Sequence, residues 1–247
     1  MKKIIAVILA LVLAVAVCGC GKETTSTTAQ NQSSTPSSTN MQTVLDQNEY
    51  TLYQNIFFNN MANDYVDKPV IKKGTFTSII DAYNGVTRYY VWGYMDQTKC
   101  CDFQWELEVT DTSNLPSNGS LVEVSGTFTQ NKEKALDGYW ITNPQITLKA
   151  EYKGLDCDID MTTMNGTLER VQVQNIQYKS ETFNGKTVAV YGRVKTMNSI
   201  QHPYYDDAFV LEFSTSDSVP AIGSDILVQG KVSNGGIENA KISNFTA

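Results

Sequence analysis

The chain repeats itself, and that repetition limits its fold more than any other feature of the sequence. Pro116, Gly119, Ser120, Val124 and Gly126 recur with the same internal spacing as Pro220, Gly223, Ser224, Val228 and Gly230. Ile141, Asn143 and Ile146 recur as Ile237, Asn239 and Ile242. Three shorter matches run in the same order: Gly74-Thr75-Phe76 with Ile79 as Gly166-Thr167-Leu168 with Val171, Val91-Trp92-Gly93 as Val190-Tyr191-Gly192, and Leu107-Glu108-Val109 as Leu211-Glu212-Phe213. Chance supplies one such pair, not five in order. Two copies of one domain are expected.

Each copy holds five segments rich in Val, Ile, Tyr, Phe and Thr, the residues that suit a pleated surface. In the first they run near 74–80, 87–96, 103–110, 120–129 and 139–148. In the second they run near 166–173, 186–197, 208–215, 225–233 and 236–245. Asn84-Gly85, Asn118-Gly119 and Asn184-Gly185 are turn dipeptides lying between segments. Ahead of the first copy, Asp46 and Glu49 have capping-box spacing, and Leu52, Tyr53, Ile56 and Phe57 recur at helical intervals. One helix over about 46–62 is predicted.

Five strands in about 80 residues, with glycines inside them that permit sharp coiling, suggest a small barrel of the OB type. The V-x-G motif at Val91 and Val190 and the P-x-x-G-S turns at Pro116 and Pro220 resemble OB-fold domains of exported bacterial proteins, including the tRNA-anticodon-binding-like group. The expected class is therefore all-β: two tandem five-stranded OB-like barrels preceded by one α-helix. A small β-sandwich is the alternative.

The N-terminus carries an address. Lys2 and Lys3 precede an apolar run from Ile4 to Val17, too short for a permanent span of about 20 residues. The run ends in Val17-Cys18-Gly19-Cys20, which resembles the lipobox of bacterial lipoproteins, with Cys18 in a slot usually filled by Ala, Ser or Thr. The resemblance implies cleavage before Cys20, lipidation of its thiol (palmitate among the acyl chains), and anchoring on the extracytoplasmic face of a cell membrane. Residues 1–19 then form a signal peptide, and 20–45 a lipidated, Ser/Thr-rich disordered tether. Residues 46–152 hold the helix and first OB-like domain, and 153–247 the second. Without its first 19 residues the chain keeps 17 Lys and Arg against 26 Asp and Glu, a balance that repels phosphate backbones. Nucleic acid is not expected as a partner; the bilayer, and an envelope sugar, peptide or protein, are.

Catalytic chemistry has little to build on. His202, the single histidine, falls in a loop with Asp206, and an ordinary loop histidine is the expected role. Asp156, Asp158 and Asp160 alternate like the start of a calcium loop, but Met161 and Thr167 occupy the places that need Gly and Glu. No enzyme, cofactor or metal site is predicted. Cys100, Cys101 and Cys157 allow one disulfide, between Cys157 and either of the adjacent pair.

The two-residue period of the strands leaves one face over. In the first copy Tyr89, Val91, Met95, Trp105, Leu107 and Val109 point inward, which puts Tyr90, Trp92 and Tyr94 outward beside Gln104, Glu106 and Glu108. Aromatic rings stack on sugars or hold cations, and carboxylates accept from hydroxyls or ammonium groups. This face is the candidate ligand site of a binding or interaction module. The competing reading is a structural or accessory envelope subunit whose aromatic face is packed internally; an envelope hydrolase is third.

Overall fold

The computed structural model describes residues 47–95, 101–135, 138–204 and 208–244. Cys20, the tether and Asp46 lie outside them. The architecture is mostly β, in two sheets with few helices.

Helix α1 (Gln47–Phe57) opens the first copy and ends five residues short of the expected boundary, with a 3-10 turn at Ala62–Asp64 after it. Five strands follow: β1 (Lys68–Ile80), β2 (Thr87–Tyr94), β3 (Asp102–Leu107), β4 (Leu121–Gln130) and β5 (Tyr139–Ala150). Their order is β1-β2-β3-β5-β4, and β1 also pairs with β4, so the path closes. Phe76, Val91, Phe103, Trp105, Val122, Val124, Phe128 and Ile141 fill the interior. Helix α1 lies against this cluster through Tyr53 and Phe57, whose rings meet Trp105 at 6.1 and 5.5 Å.

The second copy begins with β6 (Ile159–Asp160), a 3-10 turn at Met161–Thr163, and helices α2 (Gly166–Tyr178) and α3 (Ser180–Phe183). It continues with β7 (Thr187–Thr196), β8 (Ser199–Gln201), β9 (Val210–Glu212), β10 (Asp225–Ser233) and β11 (Gly236–Asn244). The sheet order is β11-β10-β7-β8-β9, with β6 beside β7. A parallel bridge joins Phe213 to Ile237, as Leu107 joins Ile141 in the first copy.

The structure corrects the expected alignment of the copies. The segment 166–173 is not a strand but the start of α2. Asn165 caps it, accepting from the Leu168 amide, and Leu168, Glu169, Gln172, Val173 and Ile176 are buried at helical spacing. The counterpart of β1 is β7, so the match between Val91-Trp92-Gly93 and Val190-Tyr191-Gly192 is one strand out of step. Gly74 opposes Val122, and Gly192 opposes Ile226. The Phe76 amide donates to Ser120 O while Phe76 O accepts from Gly119; Val194, Ser224 and Gly223 repeat that pattern. Gly74 therefore corresponds to Gly192. A Cβ on either would press into the neighbouring strand, at Trp92 O and Ile200 respectively. The β4–β5 and β10–β11 matches hold, down to the left-handed Asn143 and Asn239 (φ 49° and 51°). Each copy thus has helix ahead of five strands, with β6 and α3 added in the second, and β8 is a three-residue strand where a loop was expected.

Candidate functional site

Register places the candidate face on one row of side chains crossing four strands. In the first copy the row is Leu121, Thr75, Trp92 and Gln104. Neighbouring outward positions of β2 hold Tyr90 and Tyr94. The expected parity is correct, because Val91, Trp105 and Leu107 lie inside the first copy. The face is closed, as the packed reading of it requires. Tyr90 and Trp92 are each 1% exposed, and with the half-buried Tyr94 they belong to the apolar cluster of the second copy, beside Met161, Met164, Leu168 and Ile176.

The covering elements are the 3-10 turn and helix α2, held by polar contacts as well as apolar ones. Trp92 Nε1 donates to Thr163 O at 2.9 Å, and the Thr77 and Thr163 hydroxyls meet at 3.3 Å. Asn165 Nδ2 donates to Gln104 Oε1 at 2.9 Å. The Gly166 amide donates to Asp102 Oδ2 at 3.1 Å, in the first turn of α2 where backbone donors lack intrahelical partners. Burial raises the Asp102 carboxyl above its usual value, against the lowering effect of the bonds from Gly166 and Thr167. Farther along α2, Gln172 Oε1 accepts from the Ile80 amide and Asn175 Nδ2 donates to Ile80 O, each at 2.9 Å. Ile80 ends β1, so both its backbone groups are paired by one helix face.

The carboxylates take a different role from the one expected. Glu106 is buried, and Arg88 Nη1 donates to it at 2.7 Å. The same guanidinium reaches Asp81 Oδ2 through Nε and Nη2 at 3.2 and 3.1 Å, and the carbonyl of Lys134 at 2.6 Å. That network braces the β1–β2 turn against β3. Glu108 lies just past β3, half-buried, with its amide donating to Ile141 O. Of the six candidate residues, Tyr90, Trp92, Tyr94 and Gln104 are brought into the packed seam, and Glu106 and Glu108 are not.

His202 is not an ordinary loop residue. It follows β8, is buried, and places Nε2 3.4 Å from Glu169 Oε2 of α2. Burial pushes Glu169 well above the usual carboxylate range and His202 down to about 4. Both shifts have one cause, the loss of water around a charged group. Nothing local in the sequence links the two, which lie on different elements. Among the described residues no group of His, Cys, Asp and Glu is placed to hold a metal ion. The expected bridge between Cys101 and Cys157 is not formed; Cys100 lies outside the described residues. Burial, with Asp160 nearby, raises the Cys157 thiol to about 11.

In the second copy the equivalent row is Asp225, Arg193, Gln201 and Val210. It is open. Val210 is 36% exposed, and Arg193 Nε and Nη2 bond Asp225 at 2.8 and 3.2 Å at the surface. No family model matches the chain, and no curated protein matches it either.

Proposed function

We propose that this chain is a lipid-anchored, extracytoplasmic accessory protein of a bacterial cell envelope. Its two OB-like copies are locked into one body, and its aromatic face takes no small-molecule ligand. The observation that carries the reading is Trp92, 1% exposed with its indole N–H bonded to Thr163 O. A contiguous aromatic patch in a soluble domain is seldom left bare, and here it is consumed by the neighbouring copy.

The strand order supports the OB-like part. In each copy the first strand pairs with the second and fourth, and the third meets the fifth in parallel. The anchor and compartment rest on the lysines, apolar run and lipobox-like Val17–Cys20, which lie outside the described residues. No helix among the described residues is long and apolar enough to cross a membrane. In this reading the bilayer is met through Cys20, and the remaining partner is an envelope component rather than nucleic acid, given the excess of acidic side chains.

Trp92 tests the reading. Its emission, isolated as the difference between the parent and Trp92→Phe, is expected to resist acrylamide and to ignore cell-wall fragments and envelope sugars. Quenching by such fragments restores the aromatic face as a ligand site and removes the accessory reading. Cys20→Ala is expected to move the protein from the membrane to the soluble fraction; retention in the membrane overturns the anchor.

A further inference from the structure

The sequence contains five Asn-Gly pairs: Asn84-Gly85, Asn118-Gly119, Asn165-Gly166, Asn184-Gly185 and Asn234-Gly235. Each pair holds the two groups of one reaction. The glycine nitrogen can attack Cγ of the asparagine side chain, and no Cβ on the glycine stands in the way. For this the glycine N–H must give up its proton, and the side-chain amide must turn toward the nitrogen. A hydrogen bond on either group holds the reaction back.

Four of the pairs are held on both counts. Gly85 donates to Asp81 O at 2.8 Å, Gly119 to Phe76 O at 2.7 Å, Gly166 to Asp102 Oδ2 at 3.1 Å and Gly185 to Val232 O at 2.9 Å. Their asparagine side chains are engaged as well. Asn84 Oδ1 accepts from the Val86 amide, Asn118 Oδ1 from Ser78 Oγ, Asn165 Oδ1 from the Leu168 amide and Asn184 Oδ1 from the Asn234 amide.

Asn234-Gly235 differs. It forms the tip of the β10–β11 hairpin, with φ of 50° and 82°, the left-handed conformations that a tight two-residue turn requires. The ladder closes at Ser233 opposite Gly236, which leaves the Gly235 N–H outside it. Among the described residues no acceptor meets that N–H, and the side-chain amide of Asn234 has no partner. Asn234 is also exposed, so its side chain is free to turn.

We infer that Asn234 is a site of spontaneous deamidation in the folded protein. Gly235 N bonds to Asn234 Cγ, the Cγ–Nδ2 bond breaks, and ammonia leaves, taking up the proton that Gly235 N gives to solvent. The product is a cyclic succinimide. Water then opens it at either carbonyl, giving aspartate or isoaspartate. The site is in contact with α2, because a Cβ on Gly235 would lie 3.2 Å from Gln177 O in the last turn of that helix. The new carboxylate therefore arises near the helix end that carries partial negative charge, and in the isoaspartyl product the backbone gains a methylene there. The altered turn thus touches the helix that covers the first copy.

The test is peptide mapping by mass spectrometry of the folded, full-length chain held at mildly alkaline pH, which favours loss of the glycine proton. Each of the other four sites must break two hydrogen bonds that Asn234 lacks, so Asn234 is expected to deamidate at least about tenfold faster than any of them. Aspartyl and isoaspartyl peptides separate by retention time, and both are expected at residue 234. The same incubation in urea removes the hydrogen bonds, and there the five rates are expected to converge. A folded protein in which Asn234 reacts no faster than the other four overturns the inference. So does a lead for Asn234 that persists unchanged in urea, because local sequence and not the turn would then be its cause.

Discussion

Asp102 belongs to the first copy and Gly166 to the second, and the carboxylate of one accepts the amide N–H of the other at 3.1 Å. A helix of one copy is therefore capped twice, by its own Asn165 and by an acid reaching across the seam. The second cap gives the interface directionality that apolar packing alone lacks, because only the first turn of a helix offers unpaired donors.

Removing that acid is expected to weaken the whole folded unit. Asp102→Ala should lower unfolding stability in urea by about 1 kcal/mol, the usual worth of a helix cap. Asp111 is the control, since it is exposed and, among the described residues, bonds the nearby Ser113. Equal losses at the two positions would contradict a role for Asp102 in joining the copies.

Trp92 carries more. Trp92→Phe keeps most of the ring but strands the Thr163 carbonyl, at a cost of about 1–3 kcal/mol. Trp92→Ala adds a cavity and should cost about 3–5 kcal/mol. The urea midpoints of both variants give the measurement; a loss below about 0.5 kcal/mol for Trp92→Ala, the range of ordinary surface changes, speaks against a packed seam.

The repeated turn offers a matched comparison. Gly119 and Gly223 both hold left-handed backbone, with φ of 91° and 90°, so Ala is strained at either. Only at Gly119 does the added methyl also meet Tyr152 and Thr163. Gly119→Ala is therefore expected to cost more than Gly223→Ala by about 1–3 kcal/mol, the usual penalty for overpacking. Equal thermal shifts would mean that the linker does not press on the first copy's turn.

The Glu169–His202 pair makes stability depend on pH in a set direction. Glu169 is raised above its ordinary 4.5, so its contribution is fully present below that value and lost as pH rises toward its folded value. His202 is lowered from 6.5 to about 4, so its contribution is present above 6.5 and lost as pH falls. Between 4.5 and 6.5 the two contributions run in opposite directions. The Glu169 contribution falls as pH rises from 4.5 through its folded value. Glu169→Gln removes that decline. Urea midpoints of parent and variant should diverge as pH rises above 4.5, in favour of the variant; parallel curves would show that burial does not raise Glu169.

The first copy was legible because its strands are long and alternate, and its turn residues stand where chain reversal needs them. Alternation also survived the misalignment of the copies. Matching Gly192 to Gly93 instead of Gly74 displaced a whole strand, yet it preserved which side chains face inward, since every strand shares the two-residue period. Helix α2 was missed because Gly166-Thr167-Leu168 with Val171 imitates a strand in residue type, while its helical signal lay in the Asn165 cap and in burial at 168, 169, 172, 173 and 176. Strand β8 was missed because three residues show no period.

What the sequence by itself determined is local: the duplicated turns, the inward and outward parity of the strands, and the presence of three aromatics on one outer face. Only the tertiary structure decided that this face is closed. Its cover, Thr163 to Asn175, lies about seventy residues farther along the chain, and nothing in the face's own residues distinguishes a surface awaiting a ligand from one already occupied by a later segment. Alternation is written by each strand's own pleat, whereas coverage depends on where a distant helix comes to rest.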